Sequence, residues 1–171
     1  MKPVRNIWRV ILVGTLLLGC VGCDQVSKEM VRAYLSLGES HTFLGDTFRL
    51  VHVENPGAFL GIGSDLPEFA RVALFQAAIG ALVLGLLWAA AIRTETRPWE
   101  VAGFSLLAAS GAGNLIDRLM FDGRVTDFLN LGVGSLRTGI FNIADVAGVV
   151  GLVLIVLAST DVKTESKPTG P

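Results

Sequence analysis

Four apolar stretches, each close to the length needed to cross a lipid bilayer, constrain this 171-residue chain more than anything else in it. A hydrocarbon core ~30 Å thick takes about 20 apolar residues of helix. Runs of that order occur at about 7–23, 70–92, 99–115 and 140–159. Charged residues are only 17% of the chain and the formal net charge is -1. Disordered chains and nucleic-acid binders both need charge in excess, so neither class fits. Two Cys cannot make a disulfide framework. The expected fold class is membrane all-α: a four-transmembrane-helix bundle with a small extracytoplasmic β-sheet domain and a membrane-lying outer segment.

Charge placement orients the bundle. The short segments 1–6, 93–98 and 160–171 hold Lys2, Arg5, Arg93, Arg97, Lys163 and Lys167, and the long connections are poorer in Lys and Arg. By the positive-inside rule both termini are cytoplasmic, and Trp8, Trp88 and Trp99 then fall near the cytoplasmic interface as an aromatic belt. Connections 24–69 and 120–139 lie outside. In the first, Phe48-Arg49-Leu50-Val51-His52-Val53-Glu54 alternates between Gly, Asp and Pro punctuation and predicts a strand. In the second, Val125, Phe128, Leu129, Leu131, Val133 and Leu136 mix with polar residues, as in a segment lying on the membrane. Residues 1–159 thus form a single membrane-embedded domain, and 160–171 a disordered cytoplasmic tail. The start of the chain, with Leu17-Leu18-Gly19-Cys20, also resembles a lipoprotein cleavage site. Three further spans, and the run through Val21-Gly22-Cys23, favour a retained helix instead.

The polar residues of the spans gather at the outer leaflet: Asp24 and Lys28 at the exit of the first, Asn114, Asp117 and Arg118 at the exit of the third, Asn142 and Asp145 at the entry of the fourth. The second span holds little beyond Gln76. An ionisable group within a span is costly unless paired or hydrated, so each is a site candidate by default. Asn114, Asp117 and Arg118 share a helical face by their spacing, as do Asn142 and Asp145, the latter ~8 Å below the expected start of its helix. Gly111, Ala112 and Gly113 allow a neighbouring helix to approach closely. His41 and His52 lie in the first outer connection and Cys20 and Cys23 in the first span, which disfavours a nucleophilic triad and a zinc site. Carboxylates remain. Two of them sharing a proton can activate water and polarise a carbonyl, and spacing alone does not choose among Asp117, Asp122, Asp127 and Asp145.

Five motifs resemble the bacterial lipoprotein signal peptidase (signal peptidase II) family of four-span aspartic peptidases, over about 8–159. They are Asp24-Gln25-Val26-Ser27-Lys28, Asn55-Pro56-Gly57-Ala58-Phe59, Gly113-Asn114-Leu115-Ile116-Asp117-Arg118, Val125-Thr126-Asp127-Phe128 and Phe141-Asn142-Ile143-Ala144-Asp145. The resemblance implies that Asp127 and Asp145 are the catalytic dyad, that Asn55, Gly57, Asn114, Arg118 and Asn142 shape the substrate site, and that Asp24, Lys28 and Asp117 support it. Asp117 reads as a structural partner of the adjacent Arg118 cation. Also implied are a prolipoprotein substrate with a diacylglyceryl-modified Cys, cut just before that Cys, and location in the bacterial cytoplasmic (inner) membrane. The family further suggests contact with membrane lipid, action as a monomer, no metal, cofactor or nucleic acid, and inhibition by compounds such as globomycin at the dyad. An ion or proton relay through Asp145 and Asp117 is the alternative, but the cytoplasmic halves 101–107 and 149–157 offer only Ser105 as a polar side chain. A non-catalytic scaffold would tolerate replacement of both Asp.

Overall fold

No proline interrupts the chain after Pro3 until Pro56, and the first helix runs well past the expected end of its span. α1 is Val4–Tyr34, in a computed structural model that describes residues 4–56, 67–92 and 97–165. Asp24 and Lys28, expected beyond the first span, therefore sit inside the helix, joined by an i,i+4 ion pair of 2.7 Å that suits helical geometry. Cys20 is half-buried and Cys23 exposed on the same helix. α2 is Glu68–Ile92 and α3 is Pro98–Met120. Pro98 opens α3 where a missing N–H costs nothing. α3 also continues beyond residue 115 to include Asp117 and Arg118. α4 is Ile143–Glu165: it begins three residues later than expected and reaches into the segment expected to be a disordered tail. Residues 166–171 lie outside the described residues.

Ile7–Tyr34 and Val72–Ala91 are long and apolar enough to cross a membrane, and the apolar part of α4, Ile143–Ser159, is shorter. α3 is the hub, packing against α4, α2 and α1. Small residues fill the helix interfaces and large ones face out. Ala90, Ala108, Ala109, Ala144 and Ala158 are buried, whereas Leu82, Leu84, Val149, Leu152 and Val156 are exposed. That inversion is what packing in lipid favours, because close backbone approach supplies the contacts that a hydrophobic drive would supply in water. The closest approach joins α3 to α4. A Cβ at Gly103 would lie 2.7 Å from Ile155 Cγ1 and 2.8 Å from the Gly151 carbonyl oxygen, and one at Gly151 would lie 2.7 Å from the Gly103 oxygen. Gly103→Leu should therefore separate the two helices and lower the thermal midpoint in detergent, with an overpacking penalty of about 1–3 kcal/mol. An unchanged midpoint would show that this crossing has slack.

Four antiparallel strands stand at the end of the bundle: β1 (Ser40–Phe43), β2 (Phe48–Asn55), β3 (Val125–Val133) and β4 (Leu136–Arg137), in the order β1-β2-β3-β4. β2 is the strand read from the alternation at 48–54. The second connection contributes an inner strand that the sequence did not reveal, β3, whose Asp127, Thr126 and Val125 pair with Val53, Glu54 and Asn55. Val125, Thr126, Asp127 and Phe128 are all buried, so the strand is covered on both faces and shows no period-two pattern. The turn from α3 into β3 is made by Asp122 (φ 50) and Gly123 (φ 82), with the Gly123 N–H donating to the Arg118 carbonyl at 2.9 Å. The left-handed conformation favours glycine there, and it delivers Asp127 a few residues after the helix ends.

Candidate active site

The site is built outward from a buried lysine. Lys28 on α1 is fully buried, and its Nζ lies 2.7 Å from Asp24 Oδ2 and 3.1 Å from Asp117 Oδ2, with both carboxylates also fully buried. The third Nζ donor goes to Asn114 Oδ1 at 3.0 Å. Each carboxylate also receives a backbone N–H from a distant segment: Ala144 N–H donates to Asp24 Oδ1 at 2.9 Å, and Thr126 N–H to Asp117 Oδ2 at 3.0 Å. One ionic cluster on α1 and α3 thus grips the start of α4 and the start of β3. Gly113 makes room for it, since a Cβ there would lie 2.7 Å from Asp24 Oδ2 and 3.3 Å from the Ala144 Cβ. The close approach expected at Gly111 and Gly113 is present, with Gly111 against Val83 of α2.

Asn142 and Asp145 do not share a helical face as their spacing suggested. α4 starts at Ile143, which makes Asn142 the N-cap and Asp145 the third helical residue, and the two close a reciprocal capping box. Asp145 N–H donates to Asn142 Oδ1, and Asn142 N–H donates to Asp145 Oδ2, each at 3.0 Å. Because Asn142 Oδ1 must face that N–H, its amide Nδ2 is turned outward. It donates to Asp127 Oδ1 at 2.7 Å and to Asn114 Oδ1 at 3.0 Å. Asn114 is oriented by the same logic: its oxygen faces Lys28, which can only donate, so its Nδ2 reaches Asp145 Oδ1 at 3.0 Å. Asn55, at the end of β2, donates to the other Asp127 oxygen at 3.0 Å.

Of the residues singled out in the sequence, Asp24, Lys28, Asn55, Asn114, Asp117, Asp127, Asn142 and Asp145 are joined in one hydrogen-bonded network. Arg118 borders it, with Nη1 donating to the Asn114 carbonyl at 3.2 Å. Its carbonyl accepts from Gln76 of α2 at 3.0 Å, the one polar side chain noted in the second span. Asp117 pairs with Lys28 and more loosely with Arg32, not with the adjacent Arg118: residues next to each other on a helix point in different directions. Asp122 is spent on the turn. Gly57, Ala58 and Phe59 lie outside the described residues. His52 Nδ1 is 2.9 Å from the Leu35 carbonyl oxygen, just past the C-terminal end of α1, and His41 Nε2 is 2.9 Å from Glu39 Oε1 in the sheet region. Among the described residues no cluster of His, Cys, Asp and Glu could hold a metal ion.

Three contributors were not singled out in the sequence: Gln25, Arg32 and Thr126. Gln25 Nε2 donates to Asp117 Oδ1 and to the Gly113 carbonyl, each at 3.0 Å. Arg32 Nη1 donates to Thr126 Oγ1 at 2.8 Å. The spacing 25, 28, 32 marks one helical face, legible only once α1 is known to continue to Tyr34.

Burial pushes the Asp127 carboxyl above the ordinary aspartate range; the Asn55 and Asn142 amides pull it back in part, and the nearby Asp145 charge adds to the rise. A carboxyl that holds its proton, beside a second one linked to it through a single asparagine, can donate to a carbonyl oxygen while its neighbour takes a proton from water.

The chain is similar to known proteins over most of its length. The family described as "Signal peptidase (SPase) II" matches residues 16–160. A lipoprotein signal peptidase of Desulforapulum autotrophicum is 32% identical over 152 residues, covering 89% of this chain and 91% of the relative. One from Streptococcus pneumoniae is 30% identical over 86% of this chain and 91% of its own. A solved bacterial membrane enzyme shares the fold, with a TM-score of 0.77 at 24% identity and 93% of each chain covered.

Proposed function

The chain belongs to the signal peptidase II family, and from that premise we propose the chemistry by which it works and the form its substrate takes. It is a membrane protease that removes signal peptides from prolipoproteins. In our reading it is an aspartic endopeptidase whose dyad is Asp127 and Asp145. The observation that carries this reading is the Asn142 side chain, which donates to Asp127 while accepting from the Asp145 N–H. Asp127 holds the shared proton, favoured by its burial, and gives it to the scissile carbonyl oxygen. Asp145 draws a proton from the attacking water, forming the tetrahedral diol, and the proton is passed to the leaving amine as the C–N bond breaks. Asn55, Asn114 and Asn142 orient the carboxyls without adding charge. Arg118 offers a planar fork of donors to substrate carbonyls, and Gly57 is assigned to the substrate site with it. Asp24, Lys28 and Asp117 hold the frame.

The substrate in this reading carries a diacylglyceryl group on its lipobox Cys and is cut just before that residue. All four helices cross the bacterial inner membrane as one domain, both termini are cytoplasmic, and the site lies near the outer face. The enzyme acts as a monomer in contact with lipid, and globomycin-type inhibitors occupy the dyad. Support for the orientation comes from Trp8, Trp88 and Trp99, each exposed on its helix surface as an interfacial belt requires. A proton relay lacks support: Ser105, deep in α3, donates its hydroxyl to the Val101 carbonyl of its own helix at 2.6 Å. The test is mass-spectrometric cleavage of one synthetic lipobox peptide with and without the diacylglyceryl group. Cutting immediately before the Cys, and only in the lipidated peptide, is expected; equal cutting of both peptides, or cutting elsewhere, would overturn the substrate assignment.

A further inference from the structure

Thr126 precedes Asp127 on β3, and its backbone N–H and its hydroxyl are each held by residues outside the dyad. Its N–H donates to Asp117 Oδ2 at 3.0 Å and its Oγ1 accepts from Arg32 Nη1 at 2.8 Å. Arg32 is itself fixed on three sides. Nη2 lies 3.1 Å from Glu29 Oε2, Nη1 lies 3.9 Å from Asp117 Oδ1, and the guanidinium sits 4.3 Å from the centroid of the Phe121 ring that ends α3. Thr126 is buried and the Arg32 side chain nearly so. Successive strand residues point to opposite faces, so Thr126 faces α1 and α3 while Asp127 faces Asn142 and the α4 cap. A grip on Thr126 therefore sets where Asp127 points without touching anything on the dyad's side.

Resting on the dyad reading above, we infer that Arg32 and Thr126 are positioning residues, a clamp from the outer extension of α1 that locks the strand at the peptide unit preceding Asp127. The geometry suits arginine rather than lysine. One planar group stacks on Phe121, bonds Thr126 and pairs with Glu29 at once, which a single ammonium cannot do. The hydroxyl of Thr126 is the only part of that residue the clamp needs from its side chain, so serine should serve and valine should not.

The test uses the full-length enzyme in detergent with the diacylglyceryl lipobox peptide. Thr126→Val keeps the side-chain volume, the strand propensity and the backbone bond to Asp117, and Thr126→Ala is a second variant of the same hydroxyl. Thr126→Val and Arg32→Ala are each expected to lose about ten- to hundredfold in kcat, as for a lost charged hydrogen bond and a misplaced catalytic group. KM should stay within about twofold, because neither side chain meets substrate. Thr126→Ser should recover wild-type kcat, and the Arg32→Ala/Thr126→Val double variant should lose no more than the worse single variant. The clamp is overturned if the hydroxyl variants keep wild-type kcat, if the loss appears in KM instead, or if the two losses multiply. Asp127→Asn in the same assay separates the two claims. Inactive Asp127→Asn with fully active Thr126→Val removes the clamp alone, whereas active Asp127→Asn removes the dyad and the clamp with it.

Discussion

Asp127→Asn and Asp145→Asn should each abolish cleavage of a diacylglyceryl lipobox peptide while the protein remains folded, as helical circular dichroism and the thermal midpoint in detergent would report. The expected loss is about 10²–10⁴-fold or more, the range for removing a general acid or base, and near-normal turnover in either variant would refute the dyad. The two replacements differ in their effect on stability. Burial raises the Asp127 pKa in the folded state. Its contribution to stability is therefore fully present below the unfolded-state value of about 3.9 and is lost as pH rises through the folded value. Above that unfolded-state value the wild-type protein bears this cost and Asp127→Asn does not. One of the two oxygens that accept from Asn55 and Asn142 becomes a donor in the Asn variant, so its midpoint relative to the wild type should improve as pH rises above that value. At Asp145, one of the two oxygens that accept from Asn114 Nδ2 and Asn142 N–H becomes a donor in the Asn variant, so some loss of stability is expected there.

Lys28→Met should have the largest effect on stability of any single change in the protein. Lys28, Asp24 and Asp117 are all fully buried, and removing the cation between them leaves Asp24 uncompensated and Asp117 with only the 3.9 Å contact to Arg32. Breaking a buried ion pair from one side costs about 3–5 kcal/mol, a large share of the roughly 5–15 kcal/mol that separates folded from unfolded domains. The variant is expected to lose its cooperative thermal transition or to show a strongly lowered midpoint, and to lose activity with it. Asp24→Asn/Lys28→Met/Asp117→Asn should recover most of that stability. The two Asn oxygens still accept the Ala144 and Thr126 N–H groups, while no charge remains to be buried. A wild-type midpoint in Lys28→Met, or a triple variant as unstable as the single one, would show that the cluster does not hold the frame electrostatically.

Most of the network's members could be read from the sequence because polar residues are conspicuous against an apolar background. Asn114, Asp117, Asn142 and Asp145 stand out at the ends of runs that otherwise hold Leu, Val, Ala and Gly. Their partners were less legible. The pairing of Asp117 with Lys28 spans two helices far apart in sequence, and adjacency in the chain pointed to Arg118 instead. Asn142 and Asp145 are three residues apart whether they lie on one helical face or form an N-cap and its third residue, and only the position where α4 begins tells these apart. Arg32 lay beyond the expected end of the first helix, where hydropathy no longer marks a span but α1 continues on tertiary support from Asp117 and Thr126. β3 was hidden for another reason. Its hydrogen bonds go to a strand some 70 residues earlier, as the Asn55 to Asp127 separation of 72 illustrates, and burial of both faces erases the alternation that reveals a strand.

What the sequence determines by itself is the solvent and the inventory. Long apolar runs with few charges specify helices suited to lipid, and the motifs at their ends specify membership of a peptidase family, because both are local properties of the chain. What only the tertiary structure decides is the surroundings of the carboxyls. The rise in the Asp127 pKa and the direction of each asparagine depend on burial and on donors from β2, α1, α3 and the α4 cap. Those groups meet only when distant segments pack, since both desolvation and hydrogen-bond donation act over a few ångströms in space and take no account of separation along the chain.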